Sequence, residues 1–402
     1  MKKVLFVYHV STVGGGSFCL LNILKNLDKY RIQPFVLLKQ SGPLVDEINK
    51  LNIPVYFLKN ICTVPYNRGL AHLQSLKAIY KIQSSKRAFK LILSEIQPDI
   101  VYLNTMMLYP YLYTAKNLGF KTFIHIREHW SEKEHVKQRD YALKCIAKYC
   151  DHIIAINRYS ASMVVPYGRK ATIIYDWIDL SSRFTYLPLD NIFGEDLSGK
   201  KVLLYTGGLQ EIKGVYEVFK AFSSNVKGDD YRLLALGVPT EIRYVGLKKL
   251  IKKLLNIFRV RTYVDKVLAI ANSDRRIKCI PSIYNLSHLY RQVYCMISYF
   301  TIPHANLSLA EAVISKTFTI SAMTDESLEY TKEGRLGLLY ELNNYSEFEI
   351  KLGLLDKLRS NYLTELEQHS YEVERMFNPD INISLKSATI IQYTIKGRFM
   401  NR

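Results

Sequence analysis

Four short runs in this chain combine residue types that handle phosphate and hydroxyl groups with strand-to-helix positions. The first is Gly14-Gly15-Gly16-Ser17. Glycines let backbone amides approach a ligand, and a following helix N-terminus favours an anion. The spacing is not Gly-x-Gly-x-x-Gly, so it is no dinucleotide fingerprint, and a plain tight turn would use the same residues. The second run, Thr206-Gly207-Gly208-Leu209-Gln210-Glu211-Ile212-Lys213-Gly214, adds a lysine able to place a point charge on a phosphate. The third, His125-Ile126-Arg127-Glu128-His129-Trp130, gathers imidazole, guanidinium and carboxylate at the end of an apolar stretch. Its bland alternative is an ion pair of Arg127 with Glu128 or Asp151 beside a partly buried histidine. The fourth is Ile302-Pro303-His304-Ala305-Asn306-Leu307-Ser308-Leu309-Ala310-Glu311-Ala312. There Asn306 suits an N-cap, Leu307 and Ser308 would offer free amides, and Glu311 lies one turn in on the same face. Such a carboxylate either accepts hydrogen bonds from ligand hydroxyls or merely complements the helix dipole.

These runs need a scaffold that brings them to one end of a sheet. Apolar stretches at 4–7, 34–38, 100–103, 122–126 and 152–156 are each followed by helix-length segments, the first two at about 17–27 and 43–51. A second series follows at 202–205, 232–236, 276–280, 294–297, 317–320 and 337–340. Such alternation argues for parallel strands with right-handed crossovers, hence α/β doubly wound sheets. Between the two series, YLPLDNIFGEDLSGKK has the composition of a linker. The expected division is 1–185, a linker at 186–201, 202–378, and a tail at 379–402 that forms a helix crossing back to the first domain. Ligands of open α/β sheets bind at the carboxyl ends of strands, where all four runs fall.

The 402 residues carry 55 Lys and Arg against 36 Asp and Glu, a net charge of +19 that calls for an anionic partner. No recognised nucleic-acid module and no aromatic-interleaved basic groove is visible, so no nucleic-acid partner is expected. Instead the segment from Val245 to Arg261, VGLKKLIKKLLNIFRVR, places Leu247, Leu250, Ile251, Leu254 and Phe258 at helical spacing, with Lys248, Lys249, Lys252, Lys253 and Arg259 on the other face. That is the pattern of an interfacial helix on an anionic membrane surface. Arg68, Lys77, Lys81, Lys86, Arg87 and Lys90 form a second basic stretch. No apolar segment reaches the roughly 18 residues that span a bilayer. The opening MKKVLFVYHV reads as a buried strand rather than a secretory leader. Six scattered cysteines without a C-x-x-C pair fit reduced thiols in a cytoplasmic protein, peripheral on the inner face of the membrane.

Taken in order, the four runs resemble glycosyltransferase family four, the retaining group of GT-B glycosyltransferases that use nucleotide sugars. Asp151-His152-Ile153-Ile154-Ala155-Ile156-Asn157 and Ile173-Ile174-Tyr175-Asp176-Trp177-Ile178-Asp179 extend the likeness over nearly the whole chain. The resemblance implies two Rossmann-like domains facing across a cleft. It implies sugar transfer, with retention, from a nucleotide-sugar donor to a lipid-linked or oligosaccharide acceptor in polysaccharide or glycolipid biosynthesis. Residue by residue, it puts Lys213 on the donor pyrophosphate with the amides of Asn306, Leu307 and Ser308, and Glu311 on the ribose hydroxyls. His125 would contact the transferred sugar. Gly15 and Gly16 would close over the donor phosphates, and Gly207 and Gly208 would line the donor loop. There are two departures. Gly208 stands where the family commonly has arginine, and Pro303 stands where it has the first of two glutamates with seven residues between them. No Asp-x-Asp motif is present, so no cofactor and no essential metal are expected. The alternatives are a sugar-nucleotide 2-epimerase and a non-catalytic scaffold.

Overall fold

The computed structural model describes residues 1–12, 14–27, 32–66, 69, 71–178, 188–239, 261–283 and 286–399. The chain divides into two compact units, one formed by Met1–Trp177 with Asn378–Arg402 and the other by Ile178–Phe377. Residues 245–260 of the basic amphipathic segment, and Arg68 of the second basic stretch, lie outside the described residues.

The first unit holds seven parallel strands: β1 (Lys2–Val7), β2 (Ile32–Leu38), β3 (Val55–Phe57), β4 (Ile100–Leu103), β5 (Lys121–Ile126), β6 (His152–Ala155) and β7 (Thr172–Ile173). Their order is β3-β2-β1-β4-β5-β6-β7, so the winding reverses between β1 and β4. Alternation along the strands sorts the core into two layers. Leu5, Val7, Val101, Leu103 and Ile124 pack with Ile82, Phe89 and Leu93 of helix Leu73–Ile96 and with Leu143 and Ile146 of helix Val136–Tyr149. Val4, Phe6, Tyr102 and Phe123 pack with Leu20 and Leu24 of helix Gly15–Asn26 and with Ile383 and Ile390 of helix Pro379–Phe399. His125 shares the parity of Phe123 and belongs to this second face.

The second unit repeats the plan with β8 (Lys201–Tyr205), β9 (Tyr231–Leu236), β10 (Ile277–Ile280), β11 (Cys295–Ser298), β12 (Thr319–Ala322) and β13 (Leu338–Tyr340). The order β10-β9-β8-β11-β12-β13 puts its reversal between β8 and β11. Strands β3 and β7 are absent from the expected set. They span three and two residues at the two edges of their sheet, too short to show a buried apolar run.

Candidate functional site

In the second unit the functional loop starts at Tyr205, the last residue of β8 and fully buried. Its hydroxyl bridges the carbonyl oxygens of Gly208 and Lys213 at 3.1 and 2.9 Å, folding the loop back on its strand. Glycine is required here for space and for backbone shape. A Cβ on Gly207 would sit 2.2 Å from the Tyr205 hydroxyl oxygen, and one on Gly214 would sit 2.1 Å from the Tyr299 ring. Gly208 has φ +68°, the left-handed region that side chains disfavour, which accounts for glycine where the family pattern has arginine. Gly207→Ala should therefore cost about 1–3 kcal/mol through overpacking against Tyr205. Urea unfolding with an unchanged m-value would show it.

Lys213 closes the single turn Glu211–Lys213. Burial lowers the pKa of its amine, and no carboxylate offsets that effect. A desolvated ammonium without an acid is a cation held ready for an anionic group. The amide of Thr301 donates to the Ile212 carbonyl at 3.0 Å, which ties this loop to the segment after β11. That segment leads into helix Leu307–Ile314. Asn306 occupies the N-cap position but, contrary to the capping role read from sequence, its side chain does not cap. Its Nδ2 donates to Ser298 Oγ at 2.6 Å, and the helix start has no side-chain cap and no acidic residue in its first turn. The amides at Leu307 and Ser308 thus open a helix N-terminus that favours an anion. Glu311 follows, accepting a hydrogen bond from Tyr290 at 2.8 Å. Burial pushes its carboxyl up to about 7, against the lowering effect of that hydrogen bond. Lys213 and Glu311 come from the ends of β8 and β11, the neighbouring strands where the winding reverses.

In the first unit, helix Gly15–Asn26 begins inside the glycine run, with Gly14 extended at its N-cap and no side-chain cap. Gly16 lies against Tyr8, whose hydroxyl would be 2.5 Å from an added Cβ. His125 is completely buried at the end of β5, with Nδ1 2.9 Å from the Tyr102 hydroxyl and Nε2 without a partner. Burial, with Arg127 and Lys386 nearby, holds its pKa well below the ordinary value, so the imidazole is neutral. Arg127 does form an ion pair, but with Asp176 rather than the sequence candidates Glu128 and Asp151. Asp151 instead binds Lys116. Glu128 accepts from the Thr105 hydroxyl and from the amides of Met106 and Arg127 at 3.2 and 3.1 Å, bracing the end of β5 against the turn after β4.

Several polar atoms around these strand ends are buried without a partner: Arg127 Nε and Nη2, both side-chain atoms of Asn104, and Lys386 Nζ. Lys386 comes from helix Pro379–Phe399 and lies 5.5 Å from the Trp177 ring; burial and Arg127 push its amine down to about 7. Native interiors rarely leave such groups unsatisfied. Tyr205, Ser298 and Tyr290 in the second unit, and Lys386 in the first, were not legible as neighbours of the candidate residues of their own units, because each approaches from another element. Among the described residues, no group of three or more His, Cys, Asp or Glu converges as a metal site would need.

No protein-family model matches the sequence, and no curated protein matches it. Solved structures do match the fold. HepE of Anabaena, solved with UDP-glucose, is 16% identical with a TM-score of 0.70, covering 98% of this chain and 100% of its own. The fold is GT-B. A glycosyltransferase from Rickettsia africae ESF-5 gives 16% identity and a TM-score of 0.70, with 98% of this chain and 99% of that one covered. Sucrose-phosphate synthase of Thermosynechococcus elongatus gives 13% and 0.69, over 98% and 100%. The GT-B likeness thus includes both doubly wound units. None of the described helices is long and apolar enough to cross a membrane.

Proposed function

We propose that this protein is a glycosyltransferase that moves a sugar from a nucleotide-sugar donor to a saccharide acceptor. The observation that carries the reading is the second unit's Lys213, desolvated and free of any acid. Its loop is hydrogen-bonded through Ile212 to the segment bearing the uncapped helix and Glu311. In the proposed reaction the glycosidic carbon–oxygen bond to the nucleoside diphosphate breaks and charge grows on the β-phosphate. A fixed ammonium and helix-end amides aimed there lower the barrier. Glu311 accepts the ribose hydroxyls. His125 would meet the sugar through its unpartnered Nε2 once the donor uncovers that buried atom, and, being neutral, as a hydrogen-bonding group rather than as a base. UDP-glucose bound to the structurally similar HepE makes UDP-sugars the first donors to try.

Retention of configuration belongs to the proposal, by same-face attack in which the departing phosphate assists loss of the acceptor proton. So do a lipid-linked acceptor, a role in polysaccharide or glycolipid assembly, peripheral binding to the inner face of an anionic membrane through Val245 to Arg261, and independence from a bound metal. The test is release of nucleoside diphosphate from a UDP-sugar panel with and without saccharide acceptors. Acceptor-dependent release with a new glycoside is the expected result. Conversion of the donor alone into its epimer would overturn the transferase reading in favour of the epimerase.

A further inference from the structure

A cavity of about 430 Å³ opens in the helical layer of the first unit, and none of its lining residues comes from the strand ends. It lies between helices Leu73–Ile96 and Val136–Tyr149, with Val64, Ile79, Ile82 and Tyr109 in its wall and Tyr141 and Lys86 among its lining. A second pocket of about 360 Å³ shares Gln83, Lys86 and Tyr113 with it and adds Arg87 and Lys90. The two adjoin at Gln83, Lys86 and Tyr113, and together make a groove whose first pocket is mainly apolar and tyrosine-lined and whose second adds two cations. Its size is that of a small-molecule site.

The surroundings carry the same signature. Helix Leu73–Ile96 has five cations, Lys77, Lys81, Lys86, Arg87 and Lys90, against a single acid, Glu95. The same helix exposes Leu73, Leu76, Tyr80 and Leu91, which are 52 to 75% accessible. Large apolar side chains in water beside unneutralised cations are costly in a protein that meets only solvent, and suit an interface with hydrocarbon below and phosphate above.

We propose that this groove seats the hydrocarbon chain of an anionic lipid, with Lys86, Arg87 and Lys90 on its phosphate, so that the first unit docks on an anionic membrane. The proposal stands on this cavity and helix alone, independently of the donor chemistry. Charge complementarity selects the occupant: a neutral amphiphile would leave the basic end unmatched, and free phosphate would leave the apolar end empty.

The test uses the full chain. Flotation with vesicles of phosphatidylcholine alone is compared with vesicles containing phosphatidylglycerol. The triple variant Lys86→Glu, Arg87→Glu, Lys90→Glu is compared with an equal charge reversal in the second unit at Lys227, Lys266 and Lys278. The groove triple should bind the anionic vesicles at least ~tenfold more weakly, and the control triple should keep most of its binding. In a second measurement, monomeric dodecyl phosphate should raise the unfolding midpoint of the wild type more than inorganic phosphate does. Cys145→Phe, which fills the cavity, should abolish that difference. Equal losses in both triples, equal binding to neutral vesicles, or equal effects of dodecyl and inorganic phosphate would overturn the proposal.

Discussion

Replacing Lys213 by alanine is expected to lower turnover by about two to three orders of magnitude, the size of effect seen when one preorganised group on a developing oxyanion is removed. The loss should fall on kcat and on kcat/KM together, because the ammonium does most when the β-phosphate carries most charge. The fold should survive. No carboxylate pairs with Lys213, so its removal strands no buried counter-charge, and relief from desolvation should leave the unfolding midpoint level or slightly higher. Steady-state kinetics beside thermal unfolding separates the two effects. An unchanged kcat/KM would remove Lys213 from the leaving-group role.

The second large effect concerns Glu311, where function and stability should move in opposite directions. Its carboxyl is raised from 4.5 to about 7, so between those values the folded protein holds a proton that the unfolded chain releases. Stability then declines as pH rises through that window, and the full deficit remains above it. Glutamine cannot ionise. Glu311→Gln should therefore match the wild type below pH 4 and exceed its stability at pH 8 by up to about 3 kcal/mol, from a shift of about 2.5 units at 1.36 kcal/mol each. The same change should weaken donor binding about ten- to a hundredfold, the worth of hydrogen bonds to an ionised group. In the wild type donor affinity should rise as pH climbs through about 7, whereas in Glu311→Gln it should be flat. Calorimetric titration across that range decides it. A flat wild-type profile would take the ribose away from Glu311.

What could be read in advance was what is local in the chain. The apolar runs that became β1, β2, β4–β6 and β8–β13 announce themselves because strands buried on both faces are continuous hydrophobic stretches. The Gly207–Lys213 run and Glu311 could be placed at strand ends for the same reason. Contacts that cross the sequence were not legible. Arg127 finds Asp176, 49 residues away, because β5 and the segment after β7 meet in space, and nothing in HIRE states it. Asn306 turns from its helix toward Ser298, since a buried hydroxyl nearby offers a partner the pattern does not show. Tyr205 and Tyr290 are two of 30 tyrosines, and only folding singles them out.

Helix Pro379–Phe399 has a consequence for how the molecule is made. It covers a face of the first unit with Ile383 and Ile390, yet it is synthesised some two hundred residues after the rest of that unit. The second unit is continuous, from Ile178 to Phe377, and its fold needs no later segment. N-terminal domains usually complete first on the ribosome, but here the first unit cannot complete until the whole second unit has been synthesised. Through most of translation the part of that apolar face later covered by Ile383 and Ile390 is open, a surface that chaperones bind. A nascent chain stalled before Pro379 should be held by them or cleared by proteolysis.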